Sequence, residues 1–183
     1  VEAAAAFIGQ LMDAAGLQQA ALIGHSWGSL IAMEAAATLK DRISHLVLVG
    51  TAFPMKVSPA LLESALNTPE QAITMVNTFS RATLSPPNGA GSWVFGAGMA
   101  LGRRVLASNT STYLLHAGFT ACDSYAGGEA AMAAITCPVL FVLGEQDQMT
   151  PPKAAKGLIQ AAQAAGKAVT VQMTPPKAAS PPA

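Results

Sequence analysis

The sequence predicts an α/β fold: a parallel, doubly wound sheet of about four strands, interrupted by a long helical insertion. Three observations carry this. Four short apolar runs, residues 20–23, 45–49, 139–143 and 168–171, are continuous rather than alternating, as in parallel strands buried beneath helices on both sheet faces. Helix-like segments, about 27–39 and 151–165, stand between them, and such alternation predicts right-handed βαβ crossovers. The connection from Thr51 to Ile135 is far too long for an ordinary βα loop and contains helix starts of its own.

In chain order, a first helix is expected with Phe7, Ile8, Leu11 and Met12 on one face and Gly16 closing it. The run 20–23 then leads through Gly24-His25-Ser26-Trp27-Gly28 into the alanine-rich helix 27–39. Inside the insertion, Ser58-Pro59 opens one helix, and Thr68-Pro69-Glu70-Gln71 opens another with a capping-box pattern. Ser85-Pro86-Pro87-Asn88-Gly89 reads as a break, and a further helix is expected over 110–124. Met55, Leu61, Leu62, Met75, Phe79, Trp93, Phe95, Met99, Tyr113 and Phe119 should mostly pack this insertion, with a few lining an acyl pocket. After the strand 139–143, Thr150 is expected as N-cap and Pro151 as the first residue of a helix. The division is therefore a core of 1–52 and 135–173, a helical cap of 53–134, and an irregular Pro/Ala-rich tail of 174–183.

With 183 residues the chain has the length of one domain and can bury a core. Lys+Arg and Asp+Glu both total 10 and charged residues make up only 11%, which argues against nucleic acid or an anionic membrane as partner. No apolar run approaches the ~20 residues of a membrane span. Cys122 and Cys137 lack CxxC or metal-ligand spacing and read as reduced, packed thiols. No metal or organic cofactor is implied.

The chemistry gathers at Gly24-His25-Ser26-Trp27-Gly28. A Gly-x-Ser-x-Gly pattern arises by accident in roughly one chain in ten of this length, so the pattern alone is weak. Its context is strong: a strand-like run precedes it and a helix-like run follows. A serine hydroxyl is a poor nucleophile and must be presented bare to a base and a carbonyl, as a sharp, strained strand-to-helix turn does. Tight approach of strand and helix favours glycine at both Gly24 and Gly28. The turn sets the backbone N–H of Trp27 at a helix N-terminus, where it favours a developing oxyanion.

These features, with Pro138-Val139-Leu140-Phe141-Val142-Leu143-Gly144-Glu145-Gln146-Asp147, resemble the α/β-hydrolase fold superfamily over about residues 1–173. The resemblance implies a capped serine hydrolase with a triad in the order nucleophile, acid, histidine. Ser26 then takes the place of the nucleophile and Asp147, ending the G-x-x-D after the post-cap strand, that of the acid orienting the imidazole. Glu145 is the weaker candidate, and Asp123 belongs to the cap surface. The family's histidine follows the last strand, but residues 172–183 contain none. His25 should point away from the Ser26 oxygen, His45 stands at the wrong end of its strand, and His116 lies in the cap. None carries over as the base. The early strands and the loop giving the second oxyanion N–H are also missing, so the chain looks like a fragment, inactive as written.

The implied parent activity is carboxylic-ester hydrolysis through an acyl-enzyme on Ser26, with a small-molecule ester or amide as substrate. A serine nucleophile disfavours the dehalogenase and epoxide-hydrolase branches. One alternative is a proline-iminopeptidase-like aminopeptidase, whose elbow Ser26-Trp27-Gly28-Ser29 resembles; Glu63 and Glu70 are its candidate amine-binding acids. The other is a non-catalytic member that binds ligands or partners. No signal peptide is visible, and cytoplasmic is the default expectation. Finally, Gln-Met-Thr-Pro-Pro-Lys-Ala-Ala occurs twice, at 148–155 and 172–179. A single repeat is no solenoid, and the last ten or so residues read as an aberrant end.

Overall fold

The computed structural model of the chain describes residues 1–80, 90–109 and 113–175, the side chains of 90–93 excepted. The break at Ser85–Gly89, the residues at Thr110, the Trp93 side chain and the tail from Pro176 lie outside the described residues. Two compact units emerge, one of Val1–Phe53 with Gly127–Ala183 and one of Pro54–Ala126.

The first unit is built on one parallel sheet in the order β1 (Ala20–His25), β2 (Ile43–Val49), β3 (Val139–Gly144), β4 (Val169–Thr174). All three pairings are parallel, with His25 beside Val49, Val49 beside Val142 and Val142 beside Gln172. α1 (Glu2–Ala14) precedes β1, and α2 (Trp27–Leu39) links β1 to β2. α2 packs on both strands and is flanked by α1 and by α7 (Gly128–Ala134). α7 also touches α8 (Lys156–Ala164), which packs on β4. α7 thus belongs with the sheet, although residues to 134 read as cap in the sequence. Leu30 and Met33 of α2, Leu46 and Leu48 of β2, and Phe141 and Leu143 of β3 are all fully buried. Four alanines of α2 are also buried, since a helix packed by two others and a sheet has room only for small side chains.

Burial along the strands alternates more than the continuous apolar runs suggest. Val139, Phe141 and Leu143 are buried while Leu140 and Val142 are half-buried. On the edge strand β1, Ile23 is 73% exposed. Of the face expected for α1, Met12 is buried, but beside Ala5 and Gly9, whereas Phe7 and Leu11 are exposed. Gly9 explains this, because a Cβ there would stand 3.0 Å from Leu39 Cδ2, so α1 approaches α2 through small residues. Gly16, at φ +68, ends α1 with a Schellman pair, Gly16 N–H donating to Asp13 O and Leu17 N–H to Met12 O.

The second unit is helical: α3 (Pro59–Asn67), α4 (Pro69–Phe79), α5 (Ala90–Ser108) and α6 (Leu114–Ser124). Leu61, Ala65 and Ala72 form its buried centre, packed by Met75, Leu115 and Phe119. Ser58 caps α3, accepting from Leu61 N–H at 3.3 Å. The capping box expected at Thr68 does not form; Thr68 Oγ1 instead donates to Gln71 Oε1 at 3.2 Å. Phe79 and Tyr113, expected to pack this unit, are exposed. No helix is expected from the sequence over α5, whose glycines lower helix propensity. They are contact points: a Cβ on Gly98 would collide with Asn77 Oδ1, and one on Gly102 would sit 2.6 Å from Ile73 Cγ2. Asp123 does more than decorate the surface. Its Oδ1 accepts from Val57 N–H at 3.1 Å and pairs with Lys56 Nζ at 3.7 Å, tying the start of the unit to the end of α6.

Candidate active site

Ser26 stands alone between the last residue of β1 and the first of α2. Its backbone has φ 51 and ψ −124, a conformation costly for any residue with a Cβ. The peptide is held on both sides: Ser26 N–H donates to Val49 O at 3.0 Å, and Ser26 O accepts from Ser29 N–H at 2.8 Å. The hydroxyl makes no capping bond to α2. Trp27 is the first residue of α2, so its N–H belongs to the helix turn that lacks intrahelical acceptors. The two elbow glycines differ. A Cβ on Gly24 would collide with Gly28 O and lie 2.7 Å from Ser29 Cα, so Gly24 is required. A Cβ on Gly28 would meet nothing within 4 Å among the described residues, and crowding does not demand glycine there.

Asp147 lies beyond the C-terminal end of β3, on the sheet edge where Ser26 follows β1. Its carboxylate is held by the loop that follows. Oδ1 accepts from Met149 N–H at 2.9 Å and Thr150 N–H at 2.8 Å, and Oδ2 accepts from Thr150 Oγ1 at 2.8 Å. Thr150 is therefore not the N-cap expected of it. Its hydroxyl and N–H are engaged with Asp147, and the next helix opens one residue later, as a 3₁₀ turn over Pro152–Ala155 that runs into α8. The signal was present as an aspartate three residues before a threonine, the spacing of a side chain that bonds its own loop. Glu145 is exposed, and its backbone N–H donates to Thr174 O.

Beneath these groups sits Gly50, at φ +52 just past β2. A Cβ there would lie 3.2 Å from Thr150 Oγ1, 3.4 Å from Asp147 Oδ2 and 3.5 Å from His25 Nε2. The elbow imidazole and the Asp147 carboxylate thus converge over one glycine. His45 is exposed and paired with Ala21 toward the N-terminal end of β2; His116 lies on α6 in the helical unit. Glu70 is engaged by Arg103, whose Nε is 3.0 Å from both carboxylate oxygens. Burial raises both thiols, Cys122 to about 11, as befits packed rather than reactive cysteines. Among the described residues no cluster of His, Cys, Asp and Glu could hold a metal ion, and no helix is long and apolar enough to cross a membrane.

A family model described as the alpha/beta hydrolase fold matches residues 1–86, which contain the elbow. Solved structures share the architecture. A thermophilic esterase aligns at TM-score 0.66 and 23% identity, over 91% of this chain and 60% of its own. An esterase from Exiguobacterium antarcticum gives 0.75 at 17%, over 92% and 63%. A bromoperoxidase from Bacillus anthracis gives 0.75 at 16%, over 93% and 64%. The chain has a partial α/β-hydrolase fold. It spans about three fifths of the length of these structures, and at such identities the likeness speaks for the fold. Among curated protein sequences none matches it. Within this α/β-hydrolase fold, the strained serine and the cradled aspartate occupy the ends of β1 and β3, where parallel strands gather their ligand-binding loops.

Proposed function

We propose that this α/β-hydrolase chain carries the nucleophile and acid of a serine hydrolase acting on small carboxylic esters. The observation that carries the reading is the strained Ser26, at φ 51 and ψ −124, alone at the β1–α2 junction. In this reading Ser26 Oγ attacks the ester carbonyl and gives its proton to an imidazole. The Trp27 N–H stabilises the tetrahedral oxyanion, the alcohol leaves with that proton, and water then releases the acyl group. Asp147 orients the imidazole. Its Oδ1 is occupied by two backbone N–H groups, and Oδ2 keeps a lone pair beyond the one used by Thr150. The base is a histidine other than His25, His45 and His116, and the chain as written is proposed to be inactive. The engagement of Glu70 by Arg103 weighs against Glu70, one of the two candidate amine-binding acids of the aminopeptidase alternative.

The test is hydrolysis of a short-chain chromogenic ester by the 183-residue chain, with and without added imidazole, each beside its Ser26→Ala control. Turnover should depend on Ser26 only when imidazole is supplied. Ser26-dependent turnover without imidazole would make one of the three histidines the base. Rates equal to those of Ser26→Ala under both conditions would overturn the nucleophile assignment.

A further inference from the structure

Two hydroxyls lie directly beneath the elbow, and acyl transfer uses neither. Ser29 and Thr51 are both 0% exposed. Ser29 Oγ is 2.5 Å from Ser26 O and 2.8 Å from Thr51 Oγ1. A hydroxyl has one proton, and a carbonyl can only accept, so Ser29 donates to Ser26 O and the contact with Thr51 uses the threonine's proton. Thr51 is anchored in turn, because it follows Gly50, whose N–H donates to Val142 O at 3.0 Å. The Ser26 carbonyl is thereby linked through two buried side chains to the ends of β2 and β3.

We propose that Ser29 and Thr51 are a positioning pair that holds Ser26 in its strained conformation. The strain must be over-determined by its surroundings to persist. With only the Ser29 N–H on the Ser26 carbonyl, that peptide could rotate toward ordinary helical geometry and lengthen α2 by one residue. The Ser29 hydroxyl supplies a second bond from a fixed direction, and Thr51 fixes that direction. Buried polar groups of this kind are costly unless fully satisfied, so each locks the other. The molecule contains its own control. Lys40, at the other end of α2, has nearly the same backbone, φ 51 and ψ −120, but is exposed, with no such buried hydroxyl pair beneath it among the described residues. The consequence for catalysis rests on Ser26 being the nucleophile; the backbone claim does not.

The experiment is a mutant cycle read by urea unfolding of the 183-residue chain. Glycine relieves the strain at either site, so Ser26→Gly and Lys40→Gly are each made in the original chain and in the Ser29→Ala/Thr51→Val background. Ser26→Gly should raise the urea midpoint of the original chain by about half a molar, and by less than half that gain in the double variant. The Lys40→Gly effect should be the same in both. With Thr51→Ser alone as background, which keeps both hydroxyls, the full Ser26→Gly gain should remain. If the double variant does not fold, Thr51→Val alone serves as background, with a smaller loss of the gain. An equal Ser26→Gly gain in both backgrounds, or none in the original chain, would overturn the proposal. Loss of ester turnover has no bearing on this readout, so failure of the hydrolase reading and failure of the pair remain distinguishable.

Discussion

Residues 148–150 and 172–174 are the same tripeptide, Gln-Met-Thr, each followed by proline, yet they fold differently. The first copy is a loop wrapped around Asp147, with Thr150 buried and its hydroxyl and N–H both spent on the carboxylate. The second is the end of β4, where Gln172, Met173 and Thr174 lie beside Val142, Leu143 and Gly144, and Thr174 is exposed. Thr174 Oγ1 makes only a 3.3 Å bond to Leu143 O. The tripeptide has no strong preference of its own. What decides is the residue before it, an aspartate that can accept three bonds in one case and a valine already in register with Phe141 in the other. One copy serves the candidate site, and the other completes a sheet edge.

Asp147→Ala removes what distinguishes the first copy. Two N–H groups and a buried hydroxyl lose their acceptor, so stability should fall by about 2–4 kcal/mol, read as a lower urea midpoint at unchanged slope. A negligible shift would mean that some other group organises the loop. Gly50→Ala should come next, at about 1–2 kcal/mol. Its Cβ would press on Thr150 Oγ1 and Asp147 Oδ2 at 3.2 and 3.4 Å from a backbone that disfavours alanine. The sharpest test makes one chemical change in both copies. Thr150→Val should cost about 1 kcal/mol and Thr174→Val less than about 0.5 kcal/mol. Equal costs, in paired urea titrations, would break the comparison.

The strands and the elbow were legible because both follow local rules. Apolar runs of strand length between glycine, proline and helix signals need no knowledge of their neighbours, and the glycine before Ser26 announces a backbone approach that only glycine permits. α5 was illegible for the opposite reason. Gly98 and Gly102 lower helix propensity locally but are needed where α4 comes close, through Asn77 and Ile73. The face of α1 is only partly legible for the same reason: Phe7 and Leu11 are large and apolar, but the neighbouring α2 selects Ala5 and Gly9 beside the expected Met12. At the site, Ser26 and Asp147 stood out by motif and position. Thr150 has the sequence context of a helix cap, and nothing local to Ser29 or Thr51 marks them as partners.

The amino-acid sequence by itself determined the parallel α/β scaffold and the strand-to-helix turn at Ser26, since each depends on residues within a few positions of one another. Only the tertiary structure decided which helix face is buried, which copy of Gln-Met-Thr becomes a loop, and that Ser29 meets Thr51 from 22 residues away. Hydrogen bonds between strand ends depend on register, and register follows from the packing of the whole sheet rather than from any one segment.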